Sequence, residues 1–462
     1  MPNTKYKIRD TKHFDHIRDC GGISEYRLKT NGLTVLIAEE RTTPVVCVNV
    51  TYRVGSRNEA VGHTGATHLL EHLMFKGSKN FHKGNGKPID RVLISRGAEL
   101  NATTWFDRTN YYEVVPREML ADTLAIEADR MRNAFIRERD RAAEMTVVRN
   151  EFERGENDPL EALDKAMWAT AFQAHPYHHP TIGWRADVEN VPIARLKAFY
   201  HTFYWPNNAT LVLVGDVGSA EVLRLVAKHF GALHRSPRDI PEMYTAEPEQ
   251  QGERRVRISR AGLTRIVGIA HKVPEGRHED IAALLLLMWA LAGGTASRLV
   301  RSLVDTGLAS AVLPIYQPLH DPGLFAIYAI LTPDTPHADI ELRILGEYER
   351  IRQCGIRAAE LERARARFSA AAALARDGAH ALASALNEMI AVGDWTLLMT
   401  LEERMREVSV SDIARVARQY LNTDRATVGW FVPKVTQEEG VAAAPSSVHE
   451  PLHETSSEKG KM

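Results

Sequence analysis

The run His68-Leu69-Leu70-Glu71-His72 gathers the side chains of this chain best suited to chemistry. On a helix advancing ~100° per residue, His68 and His72 lie ~40° apart and Glu71 stays within ~60° of His68, so two imidazoles and a carboxylate share one patch. Two neutral imidazoles suit a borderline-soft ion such as zinc, and a carboxylate outside the ligand set can take a proton from a metal-bound water. The order His-x-x-Glu-His inverts the commoner zinc-protease motif. The bare pattern arises by chance in about one chain in twenty, so it needs support from elsewhere. A catalytic zinc usually takes three protein ligands and keeps one position for water, which calls for a further His or acidic residue.

Glu144-Met145-Thr146-Val147-Val148-Arg149-Asn150-Glu151 supplies the candidates, within a charge-rich stretch that reads as one long helix from about Pro116 to Arg154. Glu144 and Glu151 are seven apart and fall on one helix face with Val147 and Val148. Carboxylates among valines call for cations, donors or a metal if they are buried. The plainer reading is two solvated glutamates on a helix whose core face is elsewhere, and the upstream motif favours the first.

With both motifs in place, the chain resembles the pitrilysin-type metallopeptidases, the inverzincin family that includes insulysin and the mitochondrial processing peptidases; the resemblance covers roughly residues 24 to 433. It implies that His68, His72 and Glu151 are the ligands of one Zn2+ per chain, that Glu71 is the general base, and that Glu144 orients a ligand from behind. Gly97 to Thr104 resembles the family's substrate-binding edge strand, which makes Asn101 and Ala102 candidates to meet a bound peptide. An exposed edge offers unpaired N–H and C=O groups to an extended chain of almost any sequence. Phe75-Lys76-Gly77 after the motif, with Phe75 a third substrate-binding candidate, also matches, as do His175-Pro176-Tyr177 and Ile182-Gly183. His175, His178 and His179 could suggest a second metal site, but the surrounding prolines point to a loop.

The chain departs from the family in one place. Active single-chain relatives, and the partner subunits of paired ones, carry an Arg and a Tyr in the second half near a Gly-Leu-x-Tyr sequence, and these help hold the substrate; here Leu303 falls where the Arg would, and Ser310 where the Tyr would. Arg298 and Arg301 remain nearby and read as a solvated helix face. The resemblance is therefore to the catalytic subunit of a two-chain peptidase whose homologous partner supplies the pair, with a weakly active homodimer as the competing form.

The elements that must position these groups are also legible. At 462 residues with 44% hydrophobic content, the chain can fill two sizeable cores. Val191 to Thr210 has the form of a helix followed by a strand, and Val408 to Thr427 repeats it at an offset of 217, which implies two halves of similar fold. The first opens with a hairpin, Glu25 to Leu28 and Leu33 to Ala38 about Asn31-Gly32, and Arg254 to Ile258 with Ile266 to Ala270 is expected to open the second in the same way. Ser236 to Gly252 is rich in Pro, Glu and Gln without apolar periodicity and reads as a linker. The same offset carries His68, Glu71 and His72 onto Leu285, Met288 and Trp289, so the second half has no metal site of its own. The expected architecture is α+β, two homologous domains each pairing a mainly antiparallel sheet with helices. In order, the segments are an N-terminal extension (1–23), a zinc-binding domain (24–235), the linker (236–252), an inactive homologous domain (253–433) and a disordered tail (434–462).

Several function classes fall away. A net charge of −1 with mixed signs argues against nucleic acid, and Cys20, Cys47 and Cys354 are too few and too scattered for a disulfide framework or a Cys-based zinc site. The longest apolar run, Ile281 to Ala292, has 12 residues and reads as a buried helix rather than a membrane span. Met1 to Asp19 has no apolar export core, so the sequence as it stands reads as cytoplasmic, whereas a start further upstream would open the periplasm. The expected function is zinc-dependent hydrolysis of peptide bonds in short or unfolded polypeptides. The alternatives are a non-catalytic or weakly active subunit of a processing-peptidase-like assembly and, more remotely, a structural zinc protein.

Overall fold

The computed structural model describes residues 12–434, so the expectations for residues 1–11 and for the tail from 435 lie outside the described residues. Within the first half, the elements run β1 (Phe14–Cys20), β2 (Ile23–Leu28), β3 (Thr34–Glu39), β4 (Val45–Tyr52), α1 (Ala66–Leu73), α2 (Ile89–Leu93), β5 (Glu99–Thr104) and β6 (Thr109–Pro116). They continue as α3 (Leu120–Asn133), α4 (Glu138–Asn157), α5 (Pro159–Ala171), α6 (Arg185–Asn190), α7 (Ile193–Phe203), β7 (Ala209–Gly215) and α8 (Ser219–Phe230). The second half has β8 (Arg254–Ala261), β9 (Ile266–Val273), α9 (Ile281–Ala292), β10 (Ala309–Tyr316), β11 (Gly323–Leu331), α10 (His337–Cys354) and α11 (Ala358–Leu374). It closes with α12 (Ala379–Val392), α13 (Leu397–Glu407), α14 (Val410–Tyr420) and β12 (Ala426–Lys434).

Each half builds one sheet. The first has seven strands in the order β1-β2-β3-β7-β4-β6-β5 and the second has five in the order β10-β11-β9-β12-β8. One pair in each is parallel, β3 with β7 and β8 with β12; all others are antiparallel. The repeat is visible in the elements: shifted by 217, α7 falls on α14, and α1 falls within α9. The β2–β3 hairpin forms about Gly32 at φ +80°, and Asn31 Nδ2 anchors the turn by donating to Phe230 O (2.8 Å).

Two expectations fail for local reasons. The stretch from Pro116 to Arg154 is not one helix: at Ala134 the backbone turns extended, pairs with Ser78 and donates its N–H to Tyr200 Oη (3.1 Å), so the chain restarts as α4. The second half does not open with a hairpin, because β12 lies between β8 and β9 and pairs with both. Alternating patterns flanking a turn identify two strands but not their neighbours, since strand pairing depends on chain from elsewhere.

The halves interlock. One face of the first sheet packs on its own helices, whereas the other buries Leu36, Cys47, Val212 and Val214 against Ala383, Leu386 and Ile390 of α12, from the second half. The exchange is reciprocal: Leu163, Met167 and Ala171 of α5 cover Ile266, Ala270 and Phe431 on the second sheet. Gly268 and Gly429, in register on β9 and β12, leave the room that Met167 fills; a Cβ at Gly268 would lie 2.5 Å from its Sδ. Each buried Leu or Met at these contacts contributes roughly 1.5–3 kcal/mol. The segment 236–252 carries no helix or strand, yet Glu247 accepts backbone N–H groups of Gln173, Ala174 and His175 and pairs with Lys272 (2.8 Å). The apolar run Ile281–Ala292 is the buried helix α9, and no described helix is long and apolar enough to cross a membrane.

Candidate metal centre

Helix α1 carries the paired histidines, and its start is fixed by close packing. Gly65 precedes it at φ +81°, and Gly183 comes so near that a Cβ there would lie 2.5 Å from Gly65 N. Only glycine allows both the left-handed backbone and this approach. Glu59 then accepts the N–H of Gly65 (2.8 Å) and of Thr67 (2.7 Å), placing a carboxyl group at the helix end that favours negative charge. The apolar face, with Leu69, Leu70 and Leu73 fully buried, turns His68 and His72 toward α4.

Four predicted residues meet there. His68 Nε2 and His72 Nε2 are 3.4 Å apart, and Glu151 Oε2 lies 3.6 Å from the first and 3.4 Å from the second. Among the described residues these three form the one group of His, Cys, Asp and Glu able to hold a metal, with ligand atoms within 4.8 Å of one another. Glu144 stands behind His72, with Oε2 3.1 Å from Nδ1. That contact makes Nδ1–H the donor and leaves the Nε2 lone pair facing the cluster. Burial pushes His68 down to about 3 and the neighbouring His72 pushes the same way, so its imidazole is neutral and able to ligate. Burial opposes ionisation of Glu144, but Lys76 and His72 outweigh it and hold its carboxyl below the usual range. Glu151 Oε2 is buried without a hydrogen-bond partner. A carboxylate oxygen so placed beside two imidazole nitrogens fits a cation with His2Glu preference, zinc before calcium or magnesium.

Glu71 lies beside this group and is 8% exposed. Burial raises its pKa, opposed by a hydrogen bond from Thr104 and by the charges of His72 and Arg108. The cavity in front, of about 420 Å³, is lined by these residues together with Phe75, Lys76 and Asn101 to Thr104. The predicted edge strand is β5, paired with β6 alone, so its other side is open. Asn101 points outward while Ala102 is buried at 7% exposure, so of that pair only Asn101 offers a side chain. Phe75 is half-buried against Tyr111, its ring 6.0 Å away.

Other expectations change. Val147 does not share the buried face of α4: it is 43% exposed, and Val148 packs inward with Met145. Arg298 is not solvated, because its guanidinium grips Glu360 through Nε and Nη2, both at 2.9 Å. Leu303 lies in the core and Ser310 Oγ donates to Ile330 O, so neither presents a group to a substrate. His175, His178 and His179 reach separate partners, Asp321, the His175 carbonyl and the Pro180 carbonyl. Sequence reasoning placed Thr104 and Lys76 in matching segments but gave neither a role of its own. Lys76 follows His72 at the i+4 spacing and could have been found, whereas Thr104 becomes relevant only through folding. A larger cavity of about 560 Å³ lies under the linker, but its cations are already paired, Lys272 with Glu247 and Arg425 with Glu249.

Residues 34–184 match the model of the insulinase family (peptidase family M16), and residues 190–368 match that of the peptidase M16 inactive domain. The zinc protease PqqE of Helicobacter pylori is 32% identical over 408 residues, covering 87% of this chain and 91% of that protein. A Schizosaccharomyces pombe protein named probable mitochondrial-processing peptidase subunit beta is 26% identical over 409 residues, covering 85% and 87%. A solved structure of a protease from Helicobacter pylori superposes with a TM-score of 0.84 at 30% identity, covering 89% of this chain and 99% of that one.

Proposed function

The chain belongs to the insulinase (M16) peptidase family, and on that premise we propose that it is a zinc-dependent endopeptidase acting on short or unfolded polypeptides. The observation that carries the reading is the convergence of His68 Nε2, His72 Nε2 and Glu151 Oε2 within 4.8 Å. His68, His72 and Glu151 would hold the ion, and Glu144 would hold His72 in the ligating tautomer. Bound there, zinc supplies Lewis acidity to the scissile carbonyl and makes a nearby water more acidic. The rest falls to the chain. The open edge of β5 takes the substrate backbone as an added strand, with Asn101 at the rim and Phe75 in the wall. Glu71 accepts a proton from the attacking water and returns it to the leaving amine. In the chain itself burial raises the Glu71 pKa toward the range a general base needs, and a bound cation would pull it the other way.

The test is Glu71→Gln, with metal content and hydrolysis of an internally quenched peptide measured together. Zinc should stay near the parent's stoichiometry while turnover falls by at least ~10²-fold, the low end for a general base. Loss of zinc would make Glu71 a ligand and refute the assignment.

Leu303 in the core and Ser310 bonded to a backbone carbonyl favour dependence on a homologous partner that carries the Arg and Tyr. Alone, the chain should bind zinc and cleave peptides slowly; mixed with such a partner it should gain rate, since positioning can account for several kcal/mol of a barrier. Full activity of the homogeneous chain, unchanged by any such partner, would refute the two-chain reading and leave the zinc assignment standing.

A further inference from the structure

At the seam between the halves, polar side chains close into a ring. Asn110 Nδ2 donates to Asn49 Oδ1 (2.7 Å), Asn49 Nδ2 to Thr51 Oγ1 (3.0 Å) and Thr51 Oγ1 to Asn387 Oδ1 (2.6 Å). Asn387 Nδ2 donates to Glu388 Oε1 (3.4 Å), and Arg108 completes the circuit, giving Nε–H to that oxygen (3.0 Å) and Nη1–H to Asn110 Oδ1 (3.0 Å). Asn387 and Glu388 belong to α12 of the second half; the other four stand on β4, on β6 and in the β5–β6 turn. The three asparagines and Thr51 are at most 4% exposed, so water has little part in the ring.

Arg108 faces two ways. Toward α12 its fork grips Glu388; toward the metal centre Nη1 also donates to Thr103 O (3.2 Å) and Thr103 Oγ1 (2.5 Å) at the end of β5. The next residue, Thr104, gives its Oγ1–H to Glu71 Oε2 (2.5 Å). A guanidinium presents its donors in a rigid plane, so fixing one side of the fork fixes the other. Arg108 is 8% exposed, and without Glu388 that buried charge would lose its carboxylate and turn toward other acceptors.

We infer that Arg108 and Glu388 are a positioning pair through which the second half sets the end of β5 and, by way of Thr104, the carboxylate of Glu71. The inference rests on the peptidase reading of Glu71. A hydroxyl donating to one oxygen of Glu71 leaves the other to receive the proton, and Thr103 and Thr104 end the strand that would carry the substrate. One contact from α12 therefore aligns base and substrate together.

The experiment compares Glu388→Ala, Thr104→Val, Thr104→Ser and the Glu388→Ala/Thr104→Val double variant in the full chain. It reads peptide hydrolysis, zinc content and hydrogen exchange of residues 99–110 in the metal-free protein. Thr104→Val should lower kcat ~10- to 30-fold at near-constant KM and zinc content, Thr104→Ser should restore most of it, and Glu388→Ala should lower kcat ~5-fold while speeding exchange of the hairpin. In the double variant Glu388→Ala should add almost nothing, because coupled sites are non-additive. A kcat unchanged by Glu388→Ala in an active, zinc-binding parent, or two effects that multiply, would overturn the positioning pair alone. A parent that neither binds zinc nor cleaves peptide would overturn the peptidase reading, and the role given to Glu71 with it.

Discussion

Helix α1 packs on α4 in the first half, and α9 packs on α11 at the equivalent place in the second, yet the two contacts hold opposite chemistries. Carried across by 217 positions, His68, Glu71, His72, Glu144 and Glu151 become Leu285, Met288, Trp289, Leu361 and Phe368. The second contact joins the apolar core of its half. The first instead leaves Glu151 Oε2 buried without a hydrogen-bond partner beside an open cavity. Unpaired buried polar atoms destabilise by ~1–3 kcal/mol each, so the first contact is the weaker packing unless an ion fills it. The same helix pair therefore occurs in both halves, and five side chains make one contact apolar and the other polar.

The sharpest way to break this contrast is to change a proposed ligand in the polar contact. Glu151→Gln should lose zinc or bind it very weakly, whereas Glu144→Gln should weaken binding or activity only ~10- to 100-fold, as expected of a group acting through His72. Metal analysis giving the reverse order would require the two glutamates to exchange roles. Next comes the apolar contact: Leu361→Ala, at the buried position of α11 that answers Glu144, should cost ~2–5 kcal/mol in denaturant unfolding. Zinc affinity should stay at the parent value, and a parallel fall would mean that the second half takes part in metal binding. The smallest effect tests what joins the halves. Burial opposes ionisation of Glu247, but Lys272 and the backbone N–H groups of residues 173–175 hold its carboxyl down to about 2. Because its folded pKa lies below the unfolded one, its contribution is complete above the ordinary carboxylate range and fades as pH falls toward 2. Glu247→Gln should therefore flatten the acid limb of a stability–pH curve in that window while changing neither zinc content nor turnover; an unchanged limb would remove Glu247 from the clasp.

What the sequence disclosed follows the range of the interactions involved. The i+4 histidines and the i+7 glutamates were readable because each pair sits on one helix face, and the offset of 217 exposed the repeat without any contact being known. Features that depend on distant chain were not readable. Thr104 meets Glu71 across 33 positions, and Arg108 meets Glu388 across 280, with nothing local to mark either. The break before α4 was hidden because its cause, the hydroxyl of Tyr200, lies 66 residues ahead. The second-half hairpin was misread since β12, which separates β8 from β9, comes at the other end of that half.

The approach of Gly65 to Gly183 has a consequence for how this chain can vary. A methyl group at Gly65 would come within 2.5 Å of Ile182 O, and one at Gly183 within 2.5 Å of Thr64 backbone atoms, so neither position has room for alanine. In a saturation library selected for function, both glycines should be as invariant as the histidines, although they bind and react with nothing. Selection for chemistry on α1 is thereby transmitted to a loop more than a hundred residues downstream, and a designer moving the His-x-x-Glu-His helix to another scaffold would have to carry that loop along with it.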